Sequence, residues 1–92
     1  MEIEMRYALI REHDQMGDTG PMCQILDWES WTPIPGEHRP RVGCAVRVGS
    51  FTARTYAAMD YWTTTPVQEI LEESDNRMVF RTKNSIYEWK II

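Results

Sequence analysis

The sequence predicts a mainly β protein: a small antiparallel barrel or curved sheet of about five strands, with one or two short helices. Three observations lead there. Apolar and polar residues alternate in Glu2 to Ile10, Val42 to Gly49, Met78 to Thr82 and Ile86 to Ile91, as half-buried strands require because successive side chains point to opposite faces. Turn-forming residues stand between the last runs, at Ser74-Asp75-Asn76-Arg77 and after Thr82. Thr32-Pro33-Ile34-Pro35-Gly36 stops any regular element, since each proline lacks a donor and restricts its predecessor to extended geometry. At 92 residues the chain is expected to form one domain.

Taken in order, Ile3, Met5, Tyr7 and Leu9 occupy alternate positions of a first strand. Residues 13 to 21 turn polar, with Gly17-Asp18 and Gly20-Pro21 as breakers, and read as a loop. Met22 to Glu29 fits either a strand or two turns of helix with Pro21 at the first helical position. Val42, Cys44, Val46 and Val48 give a strand with one apolar face. Ala57, Ala58 and Met59 favour a short helix near 54 to 60. Thr65-Pro66-Val67-Gln68 matches a capped helix start, but the segment ends after about eight residues, and the next strand needs a partner across the 74 to 77 turn. A strand is therefore expected over 66 to 74. Residues from Trp62 to the end then form a three-strand antiparallel meander.

Composition bounds the function. No apolar run reaches the roughly 18 to 20 residues of a membrane span. Glu2 and Glu4 stand where a secretory leader would carry bases, so a cytoplasmic setting is expected, with Cys23 and Cys44 as reduced thiols. The net charge of −4 is uneven: residues 1 to 37 hold eight acids and two bases, whereas 38 to 54 hold four arginines and no acid. The plain expectation is that these segments attract each other. An acidic N-terminal third that mimics a nucleic-acid backbone is the other reading.

Catalytic chemistry finds no support in the pattern. His13, Cys23, His38 and Cys44 are the right ligand types for zinc but lack the close-pair spacing by which one turn presents two ligands, so no metal or cofactor is expected. A hydrolase using Cys44 with His38 would need a thiol of depressed pKa, yet Cys44 lies on an apolar strand face. Glu69, Glu72, Glu73 and Asp75 resemble a solvated surface more than an acid-base pair. No phosphate-binding glycine loop occurs. The expectation is therefore a protein without enzymatic activity.

Binding is the alternative. Among the aromatic residues, Phe80 and Trp89 are expected in the core, whereas Trp28, Trp31, Tyr61 and Trp62 lie in or beside irregular segments where amphipathic rings stay partly exposed. Trp and Arg dominate interface energetics, so these four with Arg39 and Arg54 at the rim are the candidate contact residues for a partner protein. The second hypothesis is nucleic-acid binding through Arg39, Arg41, Arg47 and Arg54, weakened by the acidic pI near 5.1.

At Arg39-Pro40-Arg41-Val42-Gly43, through Val48-Gly49-Ser50, Ala53-Arg54-Thr55-Tyr56, Asp60-Tyr61-Trp62, Thr64-Thr65-Pro66-Val67 and Phe80 to Trp89, the chain resembles small bacteriophage and prophage proteins of uncharacterised activity. The most specific part is Thr82-Lys83-Asn84-Ser85 ahead of an aromatic-rich final strand. The resemblance implies an accessory protein of the bacterial cytoplasm, an inhibitor or adaptor that occludes a host or defence protein, with a host or phage protein as its partner. It transfers no site residues.

Overall fold

A computed structural model describes residues 5–50 and 61–92 of the chain. These form nine short strands and, among the described residues, no helix: β1 (Tyr7–Arg11), β2 (Gly17–Gly20), β3 (Met22–Asp27), β4 (Thr32–Pro33), β5 (Cys44–Gly49), β6 (Tyr61–Thr63), β7 (Glu69–Glu73), β8 (Arg77–Arg81) and β9 (Ile86–Ile91). One antiparallel sheet has the order β2-β1-β9-β8-β7 and a second the order β4-β3-β5-β6. The expected mainly β architecture is present in two sheets, without a closed barrel.

The alternation read from the sequence sets the core. Tyr7 and Leu9 of β1, Met78 and Phe80 of β8, and Tyr87 and Trp89 of β9 face Ile25 of β3 and Cys44, Val46 and Val48 of β5, with Val67 closing the cluster. Phe80 and Trp89 are both fully buried, as expected. Phe80 stacks on Tyr87 at 5.5 Å between centroids, and Tyr7 on Trp89 at 6.1 Å, offset arrangements that suit the ring quadrupoles. The opposite face of the first sheet sets Ala8, Ile10 and Val79 among charged residues. Arg77 bonds to Glu72 and Glu88, and Arg81 to Glu69, which makes this a solvated, charge-laced surface.

The closing meander is β7-β8-β9, and residues 66 to 74 carry a strand as favoured. A bulge between Ile70 and Glu72 interrupts the β7 register. That irregularity, with three glutamates on the same edge strand, hinders further strand addition there. Tyr61 to Thr63 belongs instead to the second sheet. The chain leaving it stays against β5, where the Thr64 N–H donates to the Val46 carbonyl at 2.9 Å and that of Val67 to the Cys44 carbonyl at 2.9 Å. Gln68 then donates to the Arg81 carbonyl, so the chain passes between sheets within a few residues.

Two sequence expectations change. Met22 to Asp27 is strand, which removes the helical alternative over 22 to 30; the helix expected over 54 to 60 lies outside the described residues. The loop read over 13 to 21 contains β2, paired with β1 from Tyr7↔Gly20 to Ile10↔Gly17. Its glycines act by close approach, not by breaking the strand: a Cβ on Gly17 would collide with the Leu9 carbonyl, and one on Gly20 with the Gly49 carbonyl of β5.

Candidate functional site

The β3–β4 hairpin carries Trp28-Glu29-Ser30-Trp31 as a four-residue loop, because Asp27 pairs with Thr32 and Leu26 with Pro33. Hydrogen bonds fix its path. The Trp31 N–H donates to the Asp27 carbonyl at 2.7 Å, closing an α-turn. The Glu29 N–H donates to Asp27 Oδ1 at 2.9 Å, and the Ser30 and Thr32 hydroxyls bond to each other at 2.7 Å across the loop. Trp31 has φ +57°, the left-handed region that glycine or asparagine usually supplies.

This backbone presents two indoles to solvent. Trp28 is 49% exposed and Trp31 46%, with centroids 5.3 Å apart and planes at 72°, an edge-to-face pair. A pair in this arrangement forms an open corner with a ring face on each wall. Asp27 and Glu29 flank it, and neither carboxylate forms an ion pair with a described residue. Two of the sequence candidates are thus brought together on one tip.

The other described candidates make contacts within the fold. Trp62 is half-buried against the core, its Nε1 donating to the Tyr87 hydroxyl at 3.3 Å and its ring covered by the Arg11 guanidinium at 4.8 Å. Tyr61 lies under the Arg47 guanidinium at 4.7 Å. Arg39 is a clamp on the β7–β8 turn: it donates to the Asp75 and Ser74 carbonyls at 2.7 and 2.8 Å, reaches Glu73, and covers Trp89 at 5.4 Å. These contacts tie Arg39 to the β7–β8 turn. Arg54 lies outside the described residues.

The basic segment is occupied in the same manner. Arg41 pairs with Glu37, and Arg47 donates to Thr63 Oγ1 and Gln24 Oε1. The attraction expected toward the acidic first third is realised by Arg41 alone of these, because Arg39 turns to Glu73 instead. A phosphate-binding surface needs free guanidinium groups, and three of its four candidates are engaged in the fold.

No group of described residues forms a metal site. The two cysteines stay unbridged. Cys44 is buried, whereas Cys23 Sγ donates to the His38 carbonyl at 3.1 Å and accepts from Trp89 Nε1 at 3.4 Å. Burial pushes the Cys23 thiol up to about 11, against a smaller lowering from the Trp89 N–H. Such a thiol is protonated at neutral pH, the reverse of what a nucleophile requires. The carboxylates of β7 are also spoken for, Glu69, Glu72 and Glu73 pairing with Arg81, Arg77 and Arg39. A cleft of about 360 Å³ between the first hairpin loop and the 82–85 turn, bordered by Glu12, His13 and Lys83, mixes both charge signs and holds no converging set of groups.

Sequence reasoning missed Asp27 and Glu29 as parts of the tip. The signal was an aspartate two residues ahead of the amide it caps, followed by a Trp-x-x-Trp spacing between two strand ends. No family model, curated protein or solved structure matches this chain. Among the described residues no helix is long and apolar enough to cross a membrane.

Proposed function

We propose that this chain is a protein-binding module whose contact surface is the Trp28–Trp31 hairpin tip. The observation that carries the proposal is the exposure of two tryptophans on a turn already held by hydrogen bonds, one of them in a backbone conformation unfavourable for its side chain. Left-handed geometry at a residue other than glycine costs about 1–2 kcal/mol, so the turn holds the Trp31 ring outward against that cost. Indole rings supply large contact area with few rotatable bonds, and a loop fixed beforehand loses little entropy on docking.

The broader role we propose rests only on the resemblance read in the sequence over residues 39 to 89, which no comparison supports: a non-enzymatic accessory protein that inhibits or adapts a host or defence protein in the bacterial cytoplasm. Affinity capture from a bacterial lysate tests the contact surface. Wild type should retain a partner that the W28A/W31A double variant loses, with both chains equally stable. Equal capture by the two chains would refute it.

A further inference from the structure

We infer that the Trp28–Trp31 corner receives a cationic side chain, so that the docking partner presents an arginine- or lysine-bearing segment; this rests on the binding role just proposed and specifies its chemistry. The first argument is the ring geometry. Indole faces carry negative potential, and planes at 72° with centroids 5.3 Å apart leave a corner in which one cation can meet both rings. The second is charge. Asp27 to Ile34 contains Asp27 and Glu29 and no lysine or arginine. Asp27 uses Oδ1 to accept the Glu29 N–H, and both carboxylates lack an ion-pair partner among the described residues. A phosphate-bearing ligand would meet repulsion at this tip, whereas a guanidinium or ammonium gains from rings and carboxylates together.

The third argument comes from the rest of the chain. Three times an arginine lies over an aromatic face and is held there by acceptors: Arg11 over Trp62 with Asp14, Arg39 over Trp89 with Glu73 and the turn carbonyls, Arg47 over Tyr61 with Thr63 and Gln24. The hairpin tip has the ingredients of the first two, aromatic faces beside carboxylates. Among the described residues no guanidinium covers Trp28 or Trp31. A cation supplied from outside would complete the same arrangement.

The test follows the indole N–H resonances of the full chain during titration, with Trp28 and Trp31 assigned from W28A and W31A, exposed sites whose truncation leaves the core intact. Hexa-arginine is the probe; hexa-citrulline, which keeps the shape and hydrogen bonding without the charge, a thymidine oligonucleotide and cellohexaose are the comparisons. Hexa-arginine should move both tip indoles saturably and hexa-citrulline should not. Glu29→Gln should weaken the titration by about 2–5-fold, the range of an exposed cation contact, and added salt should weaken it too. Unmoved tip indoles, equal movement with hexa-citrulline, or movement only with the oligonucleotide or the sugar would overturn the inference. If W28A/W31A loses its captured partner while hexa-arginine leaves both indoles unmoved, the cation assignment falls and the docking surface stands. If hexa-arginine binds but capture ignores the double variant, the docking role falls instead.

Discussion

Two hairpin loops of this protein share one backbone design and carry opposite chemistry. In the first, between β1 and β2, Glu12-His13-Asp14-Gln15 form a turn closed by the Arg11 N–H donating to the Met16 carbonyl; Gln15 has φ +60° and its N–H donates to the Arg11 carbonyl at 2.8 Å. In the second, Trp28-Glu29-Ser30-Trp31 joins β3 to β4; Trp31 has φ +57° and its N–H donates to the Asp27 carbonyl at 2.7 Å. The first loop spends its side chains on itself: Arg11 holds Asp14 through two bonds, Asp14 caps the Met16 N–H, and Gln15 Nε2 returns to the Glu12 carbonyl. The second braces its path with Asp27, Ser30 and Thr32 and leaves its tryptophans facing water. Polar residues therefore suffice to build this turn. The tryptophans are surplus to folding, and that surplus is the argument for function.

The largest effect separates tryptophans that fold the protein from those that do not. Trp89→Ala removes a fully buried ring and its bond to Cys23, and should cost about 3–5 kcal/mol by denaturant unfolding. Trp28→Ala should change stability by no more than about 1.5 kcal/mol, the worth of an edge-to-face contact. A large loss from Trp28→Ala would break the comparison by making the tip structural.

Next in size is binding. Truncation of either tip ring should weaken partner capture by about 30-fold, the mark of an interface residue worth about 2 kcal/mol. Gln15→Ala in the matching loop should leave capture unchanged. Glycine at the left-handed position sharpens the contrast further. Gln15→Gly and Trp31→Gly each relieve backbone strain and each lose a local contact, so both should shift stability by less than about 1 kcal/mol. Only Trp31→Gly should reduce capture.

The smallest effect is a matter of pH. The Arg11 side-chain bonds hold Asp14 down at about 2, below its ordinary 3.8. A carboxylate whose folded pKa is depressed supports the fold above its ordinary value, and that support is lost as pH falls through the folded value. Amide exchange at Met16, which donates to Asp14 Oδ1, should therefore accelerate as pH falls from 3.8 toward about 2, relative to the intrinsic rate. Protection at Met16 that persists below pH 2 would contradict the ascribed role of the Arg11–Asp14 pair.

How much of this was legible in the sequence depends on distance along the chain. The β7-β8-β9 meander was readable because alternation and turn residues are local signals, and Ser74 does bond to Arg77 across the expected turn. β2 was not, since Gly17 and Gly20 look like breakers until the Leu9 and Gly49 carbonyls are seen against them. The passage from β6 to β7 between sheets was equally hidden, because Thr64 and Val67 find their partners on β5. The exposure of Trp28 and Trp31 was legible from loop composition alone. The contacts of Arg39 and Trp62 were hidden, because the Arg39 acceptors at Ser74 and Asp75 lie 35 and 36 residues away and the Arg11 that covers Trp62 belongs to the first hairpin.

The comparison of the two loops can be turned into one decisive measurement: partner capture by a chain whose residues 28–31 are replaced with Glu-His-Asp-Gln, the sequence that already builds the same turn at residues 12–15. The grafted protein should fold, with a stability loss of no more than about 2 kcal/mol because the edge-to-face ring contact goes and Asp27 replaces the Arg11 partner, and it should retain no partner. A grafted protein that captures the same partner as wild type would show that the tryptophan tip is not the docking surface.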